Sequence, residues 1–482
     1  MSLSVTIPRA AQLVLDDVGW REGWSLDETG GPWRAGVDRL MVTEDYEAIA
    51  DIGEALNIRP QAAMVLCEWD KENICAACPT ATQAGAAWDN SERAGPWSDD
   101  AAEVFRNRAA HIEFAMHGVG HEHWENGERT RAEWLGSPDG TRWEFEALRK
   151  HIEVFGRIMD QHGIGPADGH RFPVSAVPCA FNYHFDTSDP ESTGSLFASA
   201  GVEQVSTPFG GGFHHHSPLA ASDGAFEHGL VVVDRGSSGI PHNVYDTIPA
   251  ELTRNSICGI HWPNILREDP SGNGEAVARW IEYMRAVGGQ PDVMLASSMT
   301  ECVAQWVYHT FVDLRVEGNE IVLDGTRIPD EALRYASSAP MWLKVQGTEP
   351  IRPEPVPDGP RLVGYDEGGD AVLLGLAGVR REVMRVRLHP GEAPRDPYVL
   401  RTGTSGTCDC STEGHSTSVT VEACGRQVLQ VRTGRPAVAV KVECDTPASA
   451  ELLDFNVETG VQTVSVNAHD IQGAAVGLEL IH

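Results

Sequence analysis

The segment that most constrains this chain is an apolar run that ends in two adjacent carboxylates, Asp16 and Asp17. Residues 11–15 are mostly apolar and predict a buried strand. An unpaired carboxylate is very costly in a low-dielectric interior, so an acidic pair directly after such a strand needs partners. Successive side chains of a strand point to opposite faces, which allows the two carboxylates different roles. A metal ligand beside a proton acceptor is one division of roles, and a loop N-cap beside a surface charge is the alternative.

Composition limits the class of protein and its partners. The chain has 482 residues, of which 41% are hydrophobic and 22% charged, as is typical of a globular protein of two or three domains. Its net charge of −33 repels phosphate backbones and anionic membranes, so we expect neither nucleic acid nor a membrane as a partner. The first residues do not resemble a secretion signal, and we expect a cytoplasmic protein whose cysteines are mostly reduced.

The pattern of the chain changes at about residue 312. Up to that point short apolar runs alternate with amphipathic stretches, which is typical of an α/β domain. We expect strands at 11–15, 62–66, 111–116, 202–206, 230–233 and 257–260, and helices at 46–56, 142–162, 274–287 and 300–311. The remainder is β-rich, with a hairpin at 314–323 and a Pro-rich connector at 349–360. The predicted domains are therefore 1–312, which is α/β, and 313–482, a β-rich, sandwich-like module.

Two histidines, His117 and His121, follow a later predicted strand and are four residues apart. On a helical turn this spacing places both imidazoles on one face. With Asp17 they would supply three ligands to a divalent metal, which is the number typical of a catalytic zinc site with an open position. Ordinary polar histidines in a Gly-rich turn are the alternative.

Two further predicted loops carry polar groups. Arg171 lies in a loop stiffened by Pro173, where a guanidinium can fix one carboxylate of the aspartate pair and keep it ionised. His261 ends a late strand beside Trp262, and histidine is the residue type best suited to donate a proton to a leaving group near neutral pH. A structural ion pair for Arg171 and a core histidine for His261 are the alternatives.

The order of these motifs resembles the polysaccharide deacetylases, the NodB homology domain of carbohydrate esterase family four. The family has Thr-Phe-Asp-Asp-Gly where this chain has Val14-Leu15-Asp16-Asp17-Val18, and its second motif matches His117-Gly118-Val119-Gly120-His121. Arg171-Phe172-Pro173 matches the third motif, with Val174 in place of the usual aromatic residue. Gly259-Ile260-His261 matches the last motif, with Gly259 in place of the usual leucine. The resemblance covers residues 1 to about 310.

This resemblance implies a fold and a set of roles. The implied fold is a distorted (β/α) barrel of seven or eight strands, with the site at the carboxyl ends of the strands. Asp17, His117 and His121 would bind one divalent metal, with zinc expected first and nickel, cobalt or manganese as alternatives. Asp16 would be the general base, Arg171 would orient it, and His261 would be the general acid. Metal-bound water would attack an amide carbonyl, and His261 would protonate the departing amine.

The predicted activity is hydrolysis of a non-peptide C–N bond, most simply N-deacetylation of an N-acetylated sugar or a related small molecule. Hydrolysis of a cyclic amide, an imide or an ester on the same scaffold is the first alternative. A carbohydrate-binding or scaffolding protein without catalysis is the second, and retention of all the polar positions argues against it. The expected partner is a small-molecule or saccharide substrate, and a homo-oligomer remains open.

Residues next to these motifs form the predicted substrate-binding set. The loop after the second predicted strand leaves it on the same face as Asp16, and aromatic residues near the ligands either stack on a sugar face or fill a pocket. The set is Trp20, Glu68, Trp69, Asp70, His123, Trp124, Pro173 and Trp262. Nearby, Cys67, Cys75 and Cys78 are either ordinary thiols or ligands of a second metal. The triplet His214–His216 belongs either to a solvated loop or to an adventitious metal site.

Overall fold

The structure is a computed structural model that describes residues 4–125, 127–130, 132–136, 139–210, 213–215, 224–356, 359–404 and 406–482. Of the histidine triplet, His216 therefore lies outside the described residues. Contacts within the chain define two compact units, Gln12–Ala286 and Met1–Ala11 with Val287–His482. The strand Val293–Leu295 and the helix Met299–Phe311 group with the second unit, although the sequence pattern places them in the α/β domain.

A curled, mostly parallel sheet forms the centre of the unit Gln12–Ala286. The strand Arg9–Val18, which spans the division after Ala11, lies between the parallel strands Gln61–Val65 and Ile257–His261. Beyond Gln61–Val65 the sheet continues through Glu113–Gly118, Ser175–Ala176, Gln204–Thr207 and Leu230–Asp234, all parallel, and then the antiparallel strand Gly224–Glu227. The arrangement is a curled half-barrel within a mixed α/β fold. The six predicted strands are all confirmed, with ends that differ by at most three residues.

Helices connect these strands and cover the sheet. They are Thr43–Leu56, Pro96–Asn107, Phe145–Asp160, Thr193–Ala200 and Asn273–Gly288. In Phe145–Asp160, which lies within the predicted helix 142–162, the buried residues Leu148, Phe155 and Ile158 recur at helical spacing and form one apolar face. Parallel strands joined by such helices direct their carboxyl ends to one edge, and the loops that follow them meet there. Two short pairs complete the unit, Tyr183–Phe185 with Phe213–His215 and Trp124–Glu125 with Glu128–Arg129.

The second unit is β-rich, as the sequence predicts. One sheet has the strand order Val5–Thr6, Met341–Gln346, Ala371–Ala377, Arg361–Asp366, Tyr398–Leu400, Gly425–Arg432, Val461–Ala468 and Ala448–Asn456. A four-stranded sheet has the order Gly406–Glu413, Ser416–Ala423, Ala474–Ile481 and Ala439–Glu443. Val431 and Val464 from the first sheet share one buried core with Val421 and Leu478 from the second. The two sheets therefore pack against each other through alternate side chains.

A third sheet in this unit confirms one prediction and corrects another. Its strand order is Asp313–Glu317, Glu320–Asp324, Val383–Pro390 and Ile351–Pro355. The first two strands form the predicted hairpin, with Gly318 at φ +68° in its turn. The predicted connector 349–360 is wrong in part, because Ile351–Pro355 is a strand. It lies at the edge of the sheet, where proline is tolerated because one side of the strand needs no N–H donor. The helices of the unit are Met299–Phe311 and Leu333–Ala336.

No helix formed by the described residues is both long enough and apolar enough to cross a bilayer.

Candidate functional site

Asp16 and Asp17 lie at the carboxyl end of the strand Arg9–Val18, as predicted. Only 1% of Asp16 and 2% of Asp17 is exposed. The pairing with the neighbouring strand shifts register between Leu15 and Val18, so the two aspartates occupy a bulge. Asp17 has φ +61°, a left-handed conformation that is uncommon for a residue other than glycine. This local distortion directs the two carboxylates to different partners.

Asp17 faces the two predicted histidines. Its Oδ1 lies 3.4 Å from Nε2 of His117 and 3.5 Å from Nε2 of His121. On the other side of the first ring, Nδ1 of His117 lies 2.7 Å from the carbonyl oxygen of Val177, so Nδ1 donates there and Nε2 is left facing Asp17. Three groups whose electron pairs converge in this way require a positive charge between them, supplied by protons or by a metal ion.

The charges of this cluster shift the pKa values of its members. Burial alone would raise the pKa of Asp17, but the contact with His117 and the charges of His121 and His261 outweigh it and hold that pKa well below its usual range. Burial lowers the pKa of His117, yet the contact with Asp17 more than offsets it and the net shift is upward. Asp17 is therefore a carboxylate, and its negative charge favours a cation between it and the imidazoles, either a proton or a metal ion.

Two residues that the sequence pattern did not single out contact Asp17 and His121. Nε1 of Trp33 donates to Oδ2 of Asp17 at 3.3 Å, and the Trp33 ring stacks on His121 with centroids 6.0 Å apart. Oε1 of Glu122 accepts from the backbone N–H of Trp33 at 3.0 Å and lies 3.4 Å from Nδ1 of His121. Such outer contacts fix the orientation of a ligand and leave its inner atom free.

The donor set fits a divalent metal. Oδ1 of Asp17 is buried and has no hydrogen-bond partner among the described residues, although it lies against two imidazole nitrogens. A carboxylate with two imidazoles is a ligand set that zinc and similar ions accept. This orphaned oxygen is the observation that favours a metal over a purely structural cluster.

A second grouping shares the same histidines. Three possible ligand atoms lie within 4.8 Å of one another, one each from His117, His121 and Cys179. Sγ of Cys179 donates to the carbonyl oxygen of His117 at 3.2 Å, and burial raises the pKa of the thiol well above its usual range. Cys179 is thus a protonated thiol that already has an acceptor, and we favour Asp17 as the third ligand.

Other metal groupings are weaker. His184, Asp186 and Asp189 also bring ligand atoms within 4.8 Å, but Oδ2 of Asp189 is paired with Arg142 at 2.8 Å and the two aspartates are partly exposed. The three cysteines near the second strand, Cys67, Cys75 and Cys78, are buried free thiols. They belong to no potential metal group among the described residues.

The prediction for Arg171 is wrong, because the guanidinium that holds Asp16 belongs to Arg235. Nη1 of Arg235 donates to Oδ1 of Asp16 at 2.8 Å, and the side chains of both residues are almost fully buried. Arg171 is exposed. Arg235 follows the strand Leu230–Asp234, which is remote from Asp16 in strand order. The curl of the sheet brings that strand end across to the aspartate pair.

Gly259 makes room for this arginine. A Cβ atom at position 259 would lie 2.0 Å from Nη2 and 2.5 Å from Cζ of Arg235. Glycine at position 259, where the deacetylase motif has leucine, is therefore the sequence feature that signals an arginine from another strand. The guanidinium also lies over the ring of Phe181, 4.9 Å from its centroid.

His261 lies beside both aspartates, as predicted. Its Nε2 is 4.0 Å from Oδ2 of Asp16 and 3.9 Å from Oδ2 of Asp17, and 22% of its side chain is exposed. Burial lowers the pKa of His261, and the charges of Asp17 and Asp16 offset this only in part. The imidazole is thus the more accessible member of the site, with its rim formed by His242 at 5.7 Å and Phe181 at 6.3 Å between ring centroids.

Several predicted substrate-binding residues are instead engaged in packing or in holding loops. Glu68 is fully buried and accepts from the backbone of Arg21 at 2.7 Å and from Arg34 at 2.6 Å. Asp70 is also fully buried and accepts from the backbone of Cys75 at 2.9 Å. Trp69 donates to the carbonyl of Gly19 at 2.8 Å, Trp262 donates to the carbonyl of Asp45 at 3.2 Å, and Pro173 is buried.

The remaining predicted aromatic residues lie near the site's loops. Trp20 and Trp124 line a cavity of about 210 Å³ that also includes Gly120, next to His121. His123 is buried and stacks on Trp143 at 4.3 Å between centroids, and burial lowers its pKa to about 4. His123 is therefore a neutral ring within the packing, whereas the two tryptophans border open space.

Comparison of the chain with protein-family models, curated proteins and solved structures finds no match.

Proposed function

We propose that this protein is a metal-dependent hydrolase of a non-peptide C–N bond, most simply an N-deacetylase of an N-acetylated sugar or a related small molecule. The observation that carries the proposal is the buried Oδ1 of Asp17, which lies between two imidazole nitrogens and accepts no hydrogen bond from the described residues, with Asp16 and His261 alongside. The resemblance of the motifs to the NodB homology domain, and a barrel of that type for the curled sheet, are part of the same proposal.

Asp17, His117 and His121 would hold the metal. The chemistry supplied by a bound divalent metal is polarisation of the amide carbonyl and acidification of a water molecule. The protein contributes a dry, fixed set of groups around that centre, since both aspartates are nearly inaccessible.

Asp16 is suited to accept a proton from the attacking water. Its Oδ1 is anchored by Arg235, whereas its Oδ2 has no hydrogen-bond partner among the described residues. One oxygen of the carboxylate thus fixes its position and the other is left to receive the proton. Asp16 and Asp17 thereby take the two roles, base and ligand, that their adjacent positions allow.

His261 is suited to donate a proton to the departing amine. Its Nε2 lies about as far from Asp16 as from Asp17, on the accessible side of the pair. Burial lowers the pKa of His261, whereas the charges of Asp17 and Asp16 favour the protonated imidazole that a general acid needs. Water then supplies the hydroxyl of the acid product, and its proton ends on the amine.

A substrate panel tests the proposal and separates its alternatives. N-acetylated monosaccharides should release acetate, whereas a cyclic imide would give one ring-opened acid and no second product. The change Asp16→Asn should lower turnover about 10²–10⁴-fold, because general base catalysis contributes that much. Asp45→Asn is the matched control, since Asp45 is a buried aspartate paired with Arg39 at 2.7 Å outside the site.

Each outcome of the panel is decisive for one part of the proposal. Acetate release that disappears in Asp16→Asn and persists in Asp45→Asn supports the deacetylase. Ring opening with the same dependence on Asp16 would replace the substrate class and keep the mechanism. Turnover that Asp16→Asn leaves unchanged would refute the assignment of the base.

A further inference from the structure

Glu133 is a buried carboxylate that grips the turn carrying the second histidine. It is fully buried, and its Oε1 accepts from the backbone N–H of Val119 at 2.9 Å. Its Oε2 accepts from the backbone N–H of Gly120 at 3.1 Å and of His121 at 2.9 Å. Three successive backbone donors therefore converge on one side chain, an arrangement that binds an anion strongly.

The turn that Glu133 holds is not a relaxed one. His121 has φ +69°, a conformation that a residue with a Cβ atom adopts only when its surroundings enforce it. The enforced geometry is also the one that directs Nε2 of His121 to within 3.5 Å of Asp17. The bonds to Glu133 thus supply the constraint at the residue that needs it.

The carboxylate is itself fixed from behind. Nδ1 of His151 lies 2.7 Å from Oε1 of Glu133, and Nε2 of His151 lies 2.8 Å from Oγ1 of Thr80. Position 118 must be glycine for this contact, because a Cβ atom there would lie 2.2 Å from Oε2 of Glu133. Glu133 therefore has little freedom to turn away from the three donors.

The neighbouring residue holds the other end of the same motif. Nε1 of Trp134 donates to the carbonyl oxygen of His117 at 2.7 Å. His117 is also fixed by its place in the strand Glu113–Gly118, whereas His121 lies beyond that strand. Loss of Glu133 would consequently act on His121 more than on His117 or Asp17.

We propose that Glu133 is the positioning residue that directs His121 toward Asp17 and so sets the affinity of the metal centre. This inference rests on the proposed function, because it assumes that His121 is a ligand. It adds a residue that touches neither substrate nor metal and acts through the backbone of the turn. Contacts of this outer kind change metal affinity by about 10–100-fold when they are removed.

Titration with Co²⁺ tests the proposal, since the visible absorption of bound Co²⁺ reports both affinity and ligand geometry. Glu133→Gln should bind Co²⁺ about 10–100-fold more weakly than the wild type and give an altered spectrum. The matched control is Glu301→Gln. Glu301 is a buried glutamate that accepts from the backbone of Ser297 at 2.6 Å and from Trp342 at 2.7 Å, and it belongs to the other unit.

The control separates positioning from general destabilisation. Both variants lose a buried carboxylate, so thermal unfolding in the presence of a chelator should show a loss of stability in each. Only Glu133→Gln should also lose affinity for Co²⁺ and change the spectrum. If Glu133→Gln fails to fold, Glu133→Asp replaces it, because the shorter side chain keeps the charge but draws the carboxylate back from the three backbone donors, and the same loss of affinity is expected.

The possible results distinguish the positioning role of Glu133 from the proposed metal centre on which it depends. A wild-type protein that is folded and binds no Co²⁺ would overturn the metal centre and this inference together. A wild-type protein that binds Co²⁺, with a Glu133→Gln variant of equal affinity and identical spectrum, would overturn the positioning role alone.

Discussion

Replacement of Arg235 by methionine tests the ion pair between Arg235 and Asp16, which the sequence had assigned to Arg171. The change removes the guanidinium that donates to Asp16 at 2.8 Å and retains an apolar stem of similar length. The two side chains are 3% and 1% exposed, so the carboxylate left behind is buried without its cation. Removing one partner of such a pair costs about 3–5 kcal/mol, and loss of the contact with Phe181 adds about 0.5–1 kcal/mol. Arg171→Met is the control, because a change at an exposed position usually alters stability by about 0.5 kcal/mol or less.

Urea unfolding followed by tryptophan fluorescence measures this difference. Eleven of the thirteen tryptophans lie in Gln12–Ala286, so the signal reports mainly on the unit that contains the site. Combining Arg235→Met with Asp16→Asn should recover part of the loss, because the uncompensated charge is gone. A loss of stability in Arg235→Met no larger than that in Arg171→Met would refute the buried pair described above.

Three further changes test other contacts. Gly259→Ala should displace the Arg235 guanidinium from Asp16, so we expect turnover to fall, and unchanged turnover would show that the arginine tolerates the extra carbon. Trp33→Phe keeps a ring but removes the bond to Asp17, so titration should find metal affinity reduced several-fold and equal affinity would deny Trp33 a role. Burial raises the pKa of Glu227 from 4.5 to about 7, so its protonated form stabilises the fold fully below about pH 4.5. That contribution, roughly 3 kcal/mol, is lost as the pH rises through 7. The free energy of unfolding in urea should therefore fall over this pH range in the wild type and not in Glu227→Gln. An equal fall in the variant would contradict the assignment to Glu227.

The sequence predicts those parts of the fold and site that depend on local patterns. Apolar runs and helical spacing identify the strands of the half-barrel and the helix Phe145–Asp160. A strand buried on both faces is apolar throughout, and a helix buried on one face has apolar residues every three or four positions. The sequence identifies Asp17, His117 and His121 because each lies at or just beyond the carboxyl end of a strand, and parallel strands gather these ends at one edge.

Contacts set by the curl of the sheet leave no such local trace. Arg235 was missed because its distance to Asp16 depends on how strongly the whole sheet bends, and the Arg-x-Pro pattern favoured Arg171. Gly259 was the available signal. Where the deacetylase motif has a large residue, a glycine implies that another side chain fills the space. Glu133 was missed for a different reason. In a chain with 70 acidic residues, one glutamate in an irregular loop gives no indication that it accepts three backbone donors.

The central claim is that Asp17, His117 and His121 form a metal centre beside a base that does not bind the metal. Its most direct test is elemental analysis of protein purified, stripped with a chelator, reloaded with zinc and desalted. Wild type and Asp16→Asn should each retain about one divalent ion per chain, whereas Asp17→Asn should retain close to none. A folded wild-type protein that retains no metal, or an Asp17→Asn variant that retains as much as the wild type, would contradict the account.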